Sequence, residues 1–353
     1  MIFWLSVFVS WTAVPSLAQQ RYELRVALQD ASRFAKVEGD TVPRDILWNL
    51  DRGPRESDSG RGSEGEPALP SGTHAEASLF ARRLWAFADR ALSADGKLLV
   101  FSKDVAGDRE LFTCMPDGSG EERLTEDPAR DVQPSWSMDR KRVVFCREVG
   151  DLMQPFVVDV REKVSRRLLV FDGQVRMPHF VPGNRGFVCL VEPADRKRRG
   201  KLPPLRDLIH VEREGAEPRV VLAAKSIWDH AVSPDGTRVV VSIDSSVLVI
   251  DLASGAILLD RSTRQIDPSA HAHTARSFCW RPDGGVLAFH LGFLGGRMAG
   301  TVMRGDHEVY VLELDEADDA AVIGARVRTL SLGAVCKRDA RLVPRIIRWE
   351  RRR

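Results

Sequence analysis

Beyond Met1 to Ala18 the 353-residue chain has no apolar run long enough to span a bilayer, which argues against a protein built of membrane helices. Nor does it carry a large excess of one charge. A formal net charge of +2 with 29% charged residues describes an ordinary solvated surface and calls for no nucleic acid or acidic lipid partner. G-x-G-x-x-G and the Walker phosphate loop are both missing, which disfavours a nucleotide enzyme. There is no G-x-S-x-G elbow either, and Ser233 sits in a turn signal rather than at a strand-to-helix bend. The five cysteines, Cys114, Cys146, Cys189, Cys279 and Cys336, are odd in number and form no C-x-x-C. Cys146 and Cys189 follow the apolar core of successive repeat strands, so they read as small buried hydrophobes rather than as a disulfide framework.

At the front, MIFWLSVFVSWTAVPSLA closes on Ser16, Leu17 and Ala18 before Gln19, the pattern of a secretory signal peptide cleaved after Ala18. Residues 19–91 then form a mixed region. YELRVAL and DILWNLD within Arg21 to Asp51 alternate enough to be strands. Arg52 to Thr73 is rich in Gly, Ser, Pro, Glu and Arg and reads as a surface loop. Ala75 to Arg90 spaces Leu79, Phe80, Arg83, Leu84 and Phe87 as a short helix would.

From residue 92 to residue 353 one phrase recurs. SADGKLLVF from Ser93, SMDRKRVVFC from Ser137, VPGNRGFVCL from Val181, SPDGTRVVVS from Ser233 and RPDGGVLAFH from Arg281 start 44, 44, 52 and 48 residues apart. Each joins an Asp-Gly type turn to a short apolar strand. Asp can cap a turn backbone and Gly can adopt positive φ, so Asp95, Asp117, Asp139, Asp235 and Asp283 have a structural reason to recur. A unit of this kind cannot bury its apolar faces alone, and a period of about 40 to 50 residues fits one four-stranded propeller blade. Trp136, Phe180 and Trp280 fall just before the turn phrase and are expected to wedge between neighbouring blades. The expected fold is all-β, a propeller of six blades, with Arg21 to Asp51 and the tail from Leu332 joining in a closing blade that removes exposed edges. The third interval is lengthened by DRKRRGKLPPLRD, in which Lys197, Arg198, Arg199 and Lys201 mark a solvated hairpin loop.

The unit from Leu111 to Cys146 resembles the repeat of TolB-like β-propellers, which are WD40-like repeats. It carries an Asp-Gly turn at Asp117 and Gly118, R-x-L-T as Arg123, Leu124 and Thr125, and Q-P-x-W-S-x-D at Gln133, Pro134, Trp136, Ser137 and Asp139. The resemblance covers roughly Leu92 to Leu330 and implies a secreted or periplasmic scaffold that binds a protein, peptide or glycan of the cell envelope, without catalysis or cofactor.

Histidines supply the one reading that favours an enzyme. His230, His271 and His273 precede or open repeat strands, and such positions can converge on a propeller's central channel, where imidazoles bind a divalent metal. A distant resemblance to oligogalacturonate lyases implies the alternative, a metal-dependent carbohydrate lyase or hydrolase. For the binding reading the candidate contacts are Asp229, His230, His271, His273 and Arg276, with Asp229 placed to orient the imidazole beside it.

Overall fold

A computed structural model describes residues 22–30, 45–49, 53–56, 90–115, 118–183, 185–194, 205–268, 273–293, 308–315, 324–331 and 342–351. The signal-peptide region, nearly all of the expected helix over Ala75 to Arg90, Cys336 and the basic insert from Asp195 to Lys201 lie outside them. Two expectations change at the edges. Arg90 begins a strand rather than ending a helix, and Gly53–Glu56 is a strand inside the stretch read as a loop.

The strands alternate with tight turns and pair with their sequence neighbours. β1 (Tyr22–Asp30), β2 (Asp45–Asn49) and β3 (Gly53–Glu56) are followed by β4 (Arg90–Leu92), β5 (Leu99–Val105), β6 (Asp108–Cys114) and β7 (Glu122–Arg123). Next come β8 (Asp131–Trp136), β9 (Arg142–Val149), β10 (Leu152–Asp159) and β11 (Ser165–Arg167). β12 (Gly173–Phe180), β13 (Phe187–Pro193), β14 (Arg206–Val211) and β15 (Arg219–Lys225) precede β16 (Ile227–Val232), β17 (Arg238–Ile243), β18 (Ser246–Asp251) and β19 (Ile257–Ser262). A single helical turn, α1 (Thr263–Ile266), leads to β20 (His273–Trp280), β21 (Val286–Phe293), β22 (Glu308–Leu314) and β23 (Ala325–Ser331). Each block of four from β4 to β23 is one antiparallel sheet in sequence order, and β24 (Leu342–Arg351) pairs with β1 to make a sixth sheet, β24-β1-β2-β3.

Successive sheets stack through their first strands: β8 packs beside β4 and β12, β16 beside β12 and β20, and β20 beside β24. The apolar clusters lie between sheets, as expected of repeats that bury their faces against one another. Val100, Leu111 and Leu124 of one sheet meet Trp136, Val143, Phe145 and Val158 of the next. Val240, Val247 and Val249 likewise meet Trp280, Leu287, Phe289 and Tyr310. The arrangement is propeller-like.

The wedge aromatics tie sheet to sheet. Trp136 Nε1 donates to the Ala91 carbonyl at 3.1 Å, and Trp280 Nε1 donates to the Ala231 carbonyl at 3.1 Å, in both cases on the first strand of the preceding sheet. Arginines of that preceding sheet cover the rings, Arg142 over Phe180 at 5.2 Å and Arg238 over Trp280 at 5.5 Å. The turns repeat as well. Ser93 Oγ donates to Asp95 at 2.8 Å, Ser137 Oγ to Asp139 at 2.6 Å and Ser233 Oγ to Asp235 at 2.5 Å. At Gly236 the turn presses on the neighbouring sheet, since φ is +70° and an added Cβ would lie 2.8 Å from the Pro182 carbonyl oxygen.

The R-x-L-T phrase also has a physical role. Thr125 Oγ1 donates to Glu110 at 2.6 Å and accepts the Leu111 N–H at 2.9 Å, while Arg123 donates to Glu110 at 3.1 Å. Beside it, Arg147 donates from Nε and Nη2 to the two oxygens of Asp131, each at 2.7 Å, and from Nη1 to Asp127 at 2.9 Å. Asp131 is fully buried, so this bidentate pair is what makes its charge tolerable there. Cys146 and Cys189 are fully buried, as expected of small apolar side chains; Cys114 is also buried and Cys279 half-buried.

Candidate functional site

Counting back three residues from the residue before each turn phrase gives Gln133, Met177, Asp229 and Ser277, one on each of β8, β12, β16 and β20. These first strands carry bulges there, and Gln133, Met177 and Ser277 hold positive φ of 57°, 49° and 58°. A bulge leaves an N–H unpaired within its own sheet. The preceding sheet satisfies it: Gln133 Oε1 accepts the Met177 N–H at 2.8 Å, and Asp229 Oδ2 accepts the Ser277 N–H at 2.7 Å. Asp229 Oδ1 also accepts the His230 N–H at 2.8 Å. Burial nevertheless dominates over these bonds and pushes the Asp229 carboxyl from its ordinary 3.8 up to about 6. Arg276, one residue before Ser277, lies over the Trp228 ring at 5.2 Å and exerts a weaker opposing pull on the same carboxyl.

Asp229 and Arg276 are thus brought together at the contact between β16 and β20, while the His230 side chain faces β12. His230 is 1% exposed, and its partner is one the sequence did not pair with it: the His179 ring stands 4.7 Å away, centroid to centroid, across the contact of β12 and β16. Both His230 ring nitrogens lack a hydrogen-bond partner among the described residues. Burial lowers the His179 pKa to about 4 and holds that of His230 well below its ordinary 6.5, so both rings are neutral near pH 7. His271 lies outside the described residues, and His273 is described only as the first residue of β20. Among the described residues no three His, Cys, Asp or Glu side chains are grouped to hold a metal ion.

A second feature did not stand out in the sequence. A half-open cavity of about 330 Å³ is lined by Arg109 of β6, Arg130 beside β8, Gln133, Glu148 of β9, Asp151 and Met153 at the β9–β10 turn, and Gln174 and Arg176 of β12. The two glutamines serve the scaffold. Gln174 Nε2 donates to the Asp151 carbonyl at 2.6 Å and its Oε1 accepts the Met153 N–H at 3.0 Å. Arg130, Glu148 and Arg176, by contrast, make no side-chain hydrogen bond or ion pair among the described residues, and the Arg176 Nε is shut off from solvent. Repeat register offered a signal: Arg176 occupies the position on β12 that Arg276 occupies on β20.

No protein-family model matches the chain. A stretch of 90 residues, 24% of the chain, is 36% identical to part of dipeptidyl-peptidase 5 of Porphyromonas gingivalis and spans 13% of that protein. An uncharacterised protein of Agrobacterium fabrum is 26% identical over 208 residues, 57% of this chain and 68% of its own. Among solved structures, TolB from Acinetobacter baumannii superposes with a TM-score of 0.52 at 12% identity, covering 94% of this chain and 67% of that one. The shared feature is the propeller-like fold.

Proposed function

We propose that the chain is a non-catalytic, TolB-like propeller of six blades, secreted or periplasmic, that binds a protein, peptide or glycan of the cell envelope. The observation that carries this reading is the rigidity of the first strands: the β20 bulge that presents Arg276 is held from the preceding sheet by the bond from the Ser277 N–H to the buried Asp229. Side chains fixed in this way recognise a partner at low entropic cost. Arg276 offers a cation backed by an indole, and the loop holding His271 and His273 is proposed to complete the face. The fold shared with TolB supports the choice of a scaffold. Among the described residues no helix is long and apolar enough to cross a membrane.

The test is capture of partners from intact cells after mild crosslinking of the tagged protein, with Arg276→Ala as the control. A reproducible envelope partner lost in the variant, at an unchanged melting temperature, supports the reading. Recovery of the same partners at the same yield with Arg276→Ala removes this face. The lyase or hydrolase alternative makes a different demand, one equivalent of divalent metal bound through His230, His271 and His273 and lost with turnover in His271→Ala.

A further inference from the structure

The cavity between the sheets headed by β4, β8 and β12 is distinct from the face at Asp229 and Arg276, and its charges are arranged by depth. Arg176 is half-buried with a solvent-shielded Nε, whereas Arg130 and Asp151 are exposed at the rim. Arg206 lies near enough to Arg176 for the two cations to repel, Glu192 offsets part of the Arg206 charge, and the Arg206 Nη1 is committed to the Ile227 carbonyl at 2.7 Å. The inner end is therefore positive, without an anionic partner for Arg176 among the described residues. The Arg176 terminal nitrogens, unlike its Nε, are open to the cavity, and a carboxylate is the group that pairs with them best, through two parallel bonds. The rim differs in that it offers both signs, Arg130 against Glu148 and Asp151.

The apolar part of the lining is Val132, Leu152 and Met153, with no aromatic ring. Pyranose rings bind best where an aromatic face can stack on them, so the lining disfavours a sugar. Aliphatic and methionine side chains beside arginine suit a peptide backbone and its side chains. We propose that this cavity docks a short peptide segment of a protein partner, with an acidic side chain entering toward Arg176 and Arg130 and a neighbouring basic side chain meeting Glu148 and Asp151. This inference rests on the reading of the chain as a binding scaffold and names a partner chemistry for it.

The test uses the full chain labelled with ¹³C at the methionine methyls, Met153 being the reporter inside the cavity. The probes are acetyl-Ser-Asp-Lys-Ser amide, the same peptide with Asn in place of Asp, and galacturonate. The expected result is saturable movement of the Met153 methyl signal by the Asp peptide, binding at least tenfold weaker for the Asn peptide, and a loss of at least tenfold in Arg176→Gln. Arg130→Gln, a change at an exposed residue, is expected to weaken the Asp peptide severalfold without altering the methyl spectrum of the free protein. No saturable movement with the Asp peptide, or wild-type affinity retained in both arginine variants, overturns the proposal. Galacturonate binding more tightly than the Asp peptide also overturns it, in favour of an acidic glycan. If Arg176→Gln still captures the wild-type partners in cells, the scaffold reading stands and this cavity falls. Conversely, peptide binding with no cellular partner sinks the envelope scaffold and leaves the cavity.

Discussion

Replacing Asp229 with Asn separates the bonds this side chain makes from the charge it carries. In the folded chain its carboxyl titrates at about 6 against an ordinary 3.8, with burial as the chief cause. Between those values the folded state holds the proton that the unfolded state has released. Stability therefore falls as pH rises through this window, and at about 1.4 kcal/mol for each pH unit between the two values the loss attributable to Asp229 is at most about 3 kcal/mol. His179 works in the opposite direction. Its folded pKa of about 4 lies below the ordinary 6.5, so the unfolded state binds the extra proton and stability rises over that range. The two slopes mask each other in the wild type, and only a difference reveals either. Urea unfolding followed by tryptophan fluorescence at half-unit steps from pH 4 to 8 gives the curves. Wild type minus Asp229→Asn is expected to decline by about 2 to 3 kcal/mol between pH 4 and 7 and then level off. Parallel curves would refute the claim that Asp229 is an enclosed carboxyl, and a difference rising with pH would show that Arg276 outweighs burial.

His179→Gln should show the mirror image, a wild-type advantage that grows from pH 4 to about 6.5, measured by the same titration. Arg147→Ala strands the buried Asp131 and is expected to cost about 3 to 5 kcal/mol, with part of that recovered in Arg147→Met/Asp131→Leu; equilibrium urea curves decide. Trp280→Phe keeps an aromatic ring beneath Arg238 but loses the bond to the Ala231 carbonyl, for an expected loss of about 1 kcal/mol in the same assay. Gly236→Ala should lower the melting temperature more than Gly215→Ala. Both have positive φ, +70° and +77°, but only the first drives a Cβ against a neighbouring carbonyl.

Much of the repeat architecture could be read from the sequence because its determinants are local. Asp95, Asp139 and Asp235 bond within two residues of themselves, so the turns are written in consecutive letters. Thr125 was conspicuous as part of a motif, although its partner Glu110 lies on the previous strand. The candidate site was harder to read. Asp229 stood out as an acid outside the turn pattern, but its partner Ser277 is 48 residues away and contributes a backbone N–H, which no side-chain pattern announces. His230 was singled out for its residue type, while its ring neighbour His179 depends on a bulge in β12 that shifts the strand's register. Arg130 and Arg176 were passed over because arginine is normally solvated, and only the packing of three sheets gives them a shared cavity.

The pairing of β24 with β1 sets a timetable for synthesis. Tyr22 is opposite Arg351, so the amino-terminal strand leaves the ribosome more than 300 residues before its partner exists. At about 5 to 20 residues per second that interval is roughly 15 to 65 s, during which one side of β1 is an open row of backbone donors and acceptors. The sheets from β4 to β23 can each complete themselves as they emerge, whereas this one cannot. Newly made chains should therefore depend on chaperone cover during translation far more than finished ones do.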